Sequence, residues 1–170
     1  MNRVFRAWRA SFVRRWHSHP DLCDTTDYVA GHQGRCVVLL LALHPDASRE
    51  LIARVATHDQ GEIAFADVAG PAKQRNPYLA ASVEELEREE IDAQGFGGKP
   101  GAVHDLLDVN DFLLVKLVDR LDTWLWMIRH APRLSERPDW VALRQRIRDD
   151  AGTLRLGEEV DAVIDEALGR

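Results

Sequence analysis

Cysteine is scarce in this chain. Cys23 and Cys36 are the only two among 170 residues, and Cys36 lies within an apolar stretch, so no disulfide framework is built. A reducing cytoplasm is the expected setting. Long hydrophobic runs are also missing; VVLLLAL is far too short to span a bilayer. Positive charge is not in excess, with Lys+Arg 22 against Asp+Glu 28 and a formal net charge of −6. That balance gives no general surface for a nucleic-acid polymer, and with 45% hydrophobic residues it excludes disorder. The stretch MNRVFRAWRASFVRRW has arginines but neither a signal-peptide core nor a small-residue cleavage site. It has the make-up of an amphipathic transit or membrane-surface helix, but Val4, Phe5, Trp8 and Phe12 suffice to dock it onto a core. Docking is the expectation, and no membrane partner is expected.

No stretch alternates as a strand, no segment repeats, and no linker divides the chain, so an all-α domain spanning residues 1–170 is expected. A first helix is predicted from about Arg3 to Phe12. A second follows the capping residues Thr25-Thr26-Asp27 and runs to about His44, before Pro45. Val29, Val37, Leu40, Leu41 and Leu43 give it a buried stripe, which His32 and Arg35 interrupt. Ser48 caps a third helix. Ser82 opens a charged segment, SVEELEREEIDAQ, with the pattern of a solvated helix. A long helix from Val103 to about Ala131 is apolar almost all round and is expected inside, with Lys116, Asp119 (or Arg120) and Thr123 on one face. Two short helices, near Asp139–Asp150 and Glu158–Leu168, close the chain.

The chemistry concentrates in LIARVATHDQGEIAFADVAGPAK, Leu51 to Lys73. Its opening helix is apolar, yet it runs into His58-Asp59, followed by Glu62 and Asp67. Ionisable groups crowded at the end of a core element are costly unless they bind something. Imidazole with carboxylate is the ligand set of a hydrolytic Zn, Mn, Co or Fe site, with carboxylates left over for acid–base work. Lys73 and Arg75, a few residues on, point to a phosphorylated substrate. A second His-Asp pair, His104-Asp105, precedes the long helix, where Asp105 has the place of a first-turn acid. His17 and His19, with no acid of matching reach, make a poor ligand pair. The loop GFGGKPG lacks the strand–turn–helix context of a nucleotide-binding glycine loop.

The candidate ligands are His32, His58, Asp59 and Asp119. Neighbouring helix residues diverge by about 100°, so His58 and Asp59 share a metal only at the end or edge of a helix. Singly, His32 reads as a hydrogen-bonded core histidine, and Asp119 as a partner of Lys116 or Arg35. As a set, His…His-Asp…Asp on three core helices resembles the HD-domain phosphohydrolase superfamily. More narrowly, it resembles the bacterial 5′-deoxynucleotidases and the phage deoxynucleoside triphosphate triphosphohydrolases. The resemblance runs from Arg15 to Trp124. Arg15-Trp16 is similar to the family's Arg-Trp pair, and His32 to its first metal-binding histidine. His58-Asp59-Gln60-Gly61-Glu62 resembles His-Asp-x-x-Glu; Asp67 to Lys73 resembles Asp-x-x-x-Pro-x-Lys; Lys116 to Asp119 resembles Lys-x-x-Asp. Gly31 departs from the family, which often has an acid there.

The resemblance implies a compact HD-domain helical bundle holding a divalent metal (Zn, Co, Mn or Mg) on His32, His58, Asp59 and Asp119. It implies that Glu62, with Asp67 next, handles the proton of the attacking water. Arg15, Lys73 and Lys116 would neutralise phosphate, Trp16 would stack on a base, and Pro71 would wall the pocket. The implied activity is hydrolysis of a dNTP, dATP first, to deoxynucleoside and triphosphate. The alternatives are a 5′-deoxynucleotidase acting on dNMPs and a nucleotide-binding module without turnover. A homo-oligomer is implied, with Trp8, Trp126 and Trp140 as interface aromatics.

Overall fold

The computed structural model describes residues 1–66, 68, 73, 75–96 and 107–170. They form an all-α protein: α1 (Arg3–Ala10), α2 (Val29–Leu43), α3 (Arg49–Thr57), α4 (Pro77–Gln94), α5 (Val109–His130), α6 (Pro138–Thr153) and α7 (Gly157–Ala167). Short 3₁₀ turns cover Gln60–Ala64 and Pro132–Leu134. Among the described residues there is no strand, only one isolated antiparallel bridge, Arg14 to Tyr28. No helix among them is long and apolar enough to cross a membrane. The chain divides into two compact units, residues 1–34 with 56–106, and residues 35–55 with 107–170.

In the first unit the helix boundaries follow local chemistry. Asn2 caps α1 through its side chain, which accepts from the Val4 N–H at 2.9 Å. The start of α4 lies earlier than the charged segment indicates. Asn76 accepts from the Leu79 N–H at 3.1 Å and Pro77 takes the first helical position, so the Asn-Pro pair sets the start. Gly95, left-handed at φ 84°, ends it. Val83, Ile91, Ala10, Leu22 and Val29 are buried here.

One expectation for α1 is reversed. Val4, Phe5, Trp8 and Phe12 do not dock; all four are more than half exposed. Arg6 decides the orientation, forming an ion pair through Nε and Nη2 with Glu90 on α4. Ala10, one turn beyond Arg6, is buried, while the rings fall on the opposite side of the helix. There Phe5 stacks on Trp8 at 5.5 Å and Phe12 meets Trp8 edge-on at 4.9 Å. The Glu90 hydrogen bond holds the Arg6 guanidinium above its ordinary pKa.

The second unit has the more conventional core. Cys36, Leu40, Leu51, Val55, Leu114, Val115 and Val118 form one cluster. Cys36 is packed there as a small apolar group, its Sγ 3.7 Å from the Val118 carbonyl. Neither Cys23 nor Cys36 is in a disulfide. Along α2 the buried positions are Val29, His32, Gln33, Cys36 and Leu40, at helical spacing. Leu41 was expected in that stripe and is exposed instead, because it falls off this face. The Ser48 hydroxyl caps α3, accepting from Leu51 N–H at 3.1 Å. The long helix α5 opens at Val109, later than expected, where Asp108 and Asp111 form a reciprocal capping box. Asp105 lies outside the described residues. Leu117, Leu121, Trp124 and Met127 run along the buried face of α5, and Ile147, Val160 and Ile164 supply buried residues from α6 and α7. Trp140 is buried as well, so it is a core aromatic and not an interface one.

The Arg35 fork meets Asp122, Nε to Oδ1 at 2.7 Å and Nη2 to Oδ2 at 3.0 Å. The guanidinium also lies 4.4 Å over the Trp126 ring. Asp122 is buried, so removing its cation leaves a desolvated carboxylate. Because Arg35 is itself about one-third exposed, Arg35→Ala is expected to cost on the order of 2 kcal/mol, less than a fully buried pair. A lowered urea midpoint checks this, and joint replacement of Arg35 and Asp122 by Met and Leu is expected to recover most of the loss.

Candidate metal centre

The site is built where α3 stops. Thr57 is its last residue, and Asp59 takes φ −102°, ψ 10° before the 3₁₀ turn begins. Leaving the helix at this point removes the divergence of adjacent helical side chains, so His58 and Asp59 both face His32. The Nε2 atoms of His32 and His58 are 3.2 Å apart. Asp59 reaches both rings, Oδ2 to His32 Nε2 at 3.3 Å and Oδ1 to His58 Nε2 at 3.5 Å. His32 is fully buried, the His58 side chain 6% exposed and that of Asp59 21% exposed. The open side is therefore the carboxylate side.

These three residues offer ligand atoms all within 4.8 Å of one another. Two nitrogens bound at about 2.0–2.1 Å to a tetrahedral centre stand roughly 3.3 Å apart, which matches the imidazole pair. Two imidazoles and a carboxylate suit Zn, Mn, Fe or Co and give a poor cage for Ca. The donor set fits a divalent transition ion.

Buried amides fix the turn. With its amide nitrogen toward Ala56 and its oxygen toward Asp59, Gln33 donates to the Ala56 carbonyl and accepts from the Asp59 N–H, both at 3.1 Å. Gln33 follows His32 on α2, so one amide ties the first imidazole's neighbour to the His-Asp turn. Gln94 at the end of α4 donates to the Gln60 carbonyl at 2.9 Å. The Glu62 N–H closes the turn on the Asp59 carbonyl at 3.1 Å, and Glu62 is buried. Gln33, Gln60 and Gln94 carry no motif in the sequence; only the fold shows that they are buried.

Gly61 carries the closest packing. A Cβ there would stand 2.6 Å from the Glu87 carbonyl oxygen and 2.7 Å from its Cα. Backbone lies against backbone, and α4 would have to move to admit a methyl group.

The other candidate residues fall into three groups. Arg15 and Trp16 are buried and meet at Asp27: Arg15 Nη1 lies 3.4 Å, and Trp16 Nε1 3.2 Å, from Oδ2. The Trp16 ring also has the Arg15 Cζ at 5.3 Å and the His19 ring at 5.9 Å, edge-on. Asp27 was expected as a helix cap. Because α2 opens at Val29, its carboxylate is instead turned back onto the Arg-Trp pair. Lys73 is half-buried and donates to Glu87 Oε1 at 3.0 Å. His17 and His19 are engaged locally, His17 Nδ1 with the Arg14 carbonyl at 3.1 Å and His19 Nδ1 with the Asp21 N–H at 3.2 Å. In the second unit, Lys116 is exposed and Asp119 half-buried, both on α5. Asp67 and Pro71 lie outside the described residues.

Comparison with known protein families, with characterised proteins and with solved structures finds no match to this chain.

Gly61 provides a test of the turn. Gly61→Ala is expected to destabilise by about 1–3 kcal/mol, the usual cost of overpacking against backbone. Chemical denaturation would measure it, and Gly152→Ala, where nothing lies within 4 Å of an added Cβ, is the matched control.

Proposed function

We propose that this chain is a divalent-metal-dependent deoxynucleotide phosphohydrolase of the HD-domain kind, a single functional domain over residues 1–170. Its preferred reaction is hydrolysis of a dNTP, dATP first, to deoxynucleoside and triphosphate. The supporting observation is the convergence of His32, His58 and Asp59 within ligand distance, with Glu62 buried just beyond them. Asp119 is the proposed fourth ligand, on the strength of the Lys116-to-Asp119 pattern. A cytoplasmic homo-oligomer acting on a free nucleotide, without a nucleic-acid polymer or membrane, completes the reading.

In this reaction water adds to the α-phosphorus, the bond from that phosphorus to O5′ breaks, and the deoxynucleoside leaves with a proton on O5′. A Zn, Co, Mn or Mg ion, when bound, supplies Lewis acidity and brings the pKa of water toward neutrality. Glu62 receives the proton of the attacking water, with Asp67 the next candidate. Arg15, Lys73 and Lys116 offset the charge that gathers on the phosphoryl oxygens. For Lys73 this means exchanging Glu87 for phosphate. Trp16 and Pro71 border the base.

The 5′-deoxynucleotidase reading has an observation in its favour. Arg15 is paired with Asp27 and Lys73 with Glu87, so part of the site's positive charge is already compensated. A monophosphate needs less of it. Incubation with each dNTP and dNMP, with Mg, Mn, Co or Zn, separates the cases. Tripolyphosphate from dATP supports the triphosphohydrolase. Orthophosphate from dNMPs with dNTPs intact moves the protein to the nucleotidases, and binding without product makes it a non-catalytic module.

Two sets of variants probe the residues. His58→Ala and Asp59→Ala are expected to lose bound metal, read by elemental analysis, and all hydrolysis, while helicity by circular dichroism is kept. Full metal occupancy in either would remove that residue from the ligand set. Glu62→Gln is expected to lower turnover by roughly 10²–10⁴-fold with metal content unchanged. Parent-like turnover in that variant would transfer the proton role to Asp67.

A further inference from the structure

We infer that Asp27 is the positioning residue of the substrate side of this site, holding Arg15 and Trp16 in the orientation from which they meet the anionic phosphoryl group and its base. The inference rests on the nucleotide reading above and extends it to a residue outside the resemblance's motifs.

Three features meet at Asp27. The first is strain. Trp16 has φ 64°, a left-handed conformation that a bulky side chain adopts only under strain. The second is a buried charge. Asp27 is 2% exposed, and a carboxylate at that depth is retained only when hydrogen bonded. Its Oδ2 lies 3.2 Å from the Trp16 indole nitrogen and 3.4 Å from Arg15 Nη1. The third is backbone stitching. The Arg15 N–H donates to the Asp27 carbonyl and the Val29 N–H to the Val13 carbonyl, each at 3.0 Å. Residues 13–16 thus run antiparallel along the entry to α2, the helix that carries His32.

If stability were all that Asp27 supplied, apolar packing would serve as well or better than a buried ion pair. Strain and a buried carboxylate on three touching residues are instead the arrangement of a pre-oriented binding group. A guanidinium fixed before substrate arrives spends little orientational entropy on binding. The backbone stitching also sets its position against His32. Trp16 is held by the same oxygen, so one carboxylate aims both side chains.

Kinetics with a double-mutant cycle test this. Asp27→Asn is nearly isosteric and still offers the indole an acceptor, but it withdraws the charge that orients Arg15. Expected is a rise in KM for the hydrolysed nucleotide of about tenfold, with kcat within about threefold and bound metal unchanged. Combining Asp27→Asn with Arg15→Ala is expected to add nothing to the KM of Arg15→Ala alone, because both act through one contact. A merely structural role predicts the opposite pattern: a smaller active fraction, hence lower kcat, at unchanged KM, and effects that add in the double variant. Either result overturns the proposal. Asp27→Glu, which keeps the charge but displaces it, gives the same reading if Asp27→Asn does not fold. A parent protein that neither binds nor hydrolyses any deoxynucleotide overturns the function proposed above and this inference together. An active parent with an indistinguishable Asp27→Asn overturns this inference alone.

Discussion

The arrangement of the first unit depends on keeping two imidazole nitrogens 3.2 Å apart where water has little access. At that distance the two nitrogens can share one proton in a hydrogen bond or, deprotonated, one ion. Keeping them there takes a fully buried His32 on α2, a His58 released from α3 by one residue, and a carboxylate that reaches both. Each support is itself buried: Gln33 beneath the turn, Gln94 on the Gln60 carbonyl, Gly61 pressed on α4. Gln33 satisfies both ends of its amide, whereas among the described residues Gln60 Oε1 and Gln94 Oε1 are buried without a hydrogen-bond partner.

The second unit answers a different demand. Its interior is aliphatic and aromatic, and the main buried charge, Asp122, is matched by a bidentate fork. Arg120 adds an ion pair with Asp150, linking α5 to α6. The contrast between the units is thus one of degree: the first buries amides and imidazoles beside its hydrocarbon, while the second buries mainly hydrocarbon.

Much of this was legible in the sequence, because helix ends and helical periodicity are local. The stop of α3 before His58-Asp59 and the cap at Ser48 follow from a few adjacent residues, as do α6 and α7. Most of what was not legible needed a partner distant in sequence. The start of α4 is the exception, since Asn76-Pro77 is a local signal masked by the charges that follow it. The exposure of Phe5, Trp8 and Phe12 depends on Arg6 finding Glu90, and hydrophobicity alone predicts the reverse. Thr25-Thr26-Asp27 reads as a helix cap, and only the fold brings Trp16 back to Asp27. Among the candidate ligands, His32, His58 and Asp59 are legible from residue type and order. The amides behind them carry no such signature, since glutamine is ordinary on helix surfaces and becomes informative only once its burial is known.

The orientation of α1 also decides how that helix responds to its medium. Turning its rings outward leaves α1 held substantially by charge, Arg6 on Glu90, where most helices are held by hydrocarbon. Dissolved salt acts on the two kinds of attachment in opposite directions. It screens a partly exposed ion pair within a few ångströms of solvent, while strongly hydrated anions such as sulfate reinforce apolar burial. Ionic strength therefore loosens the hold on α1 under the same conditions that tighten the aliphatic core of the second unit.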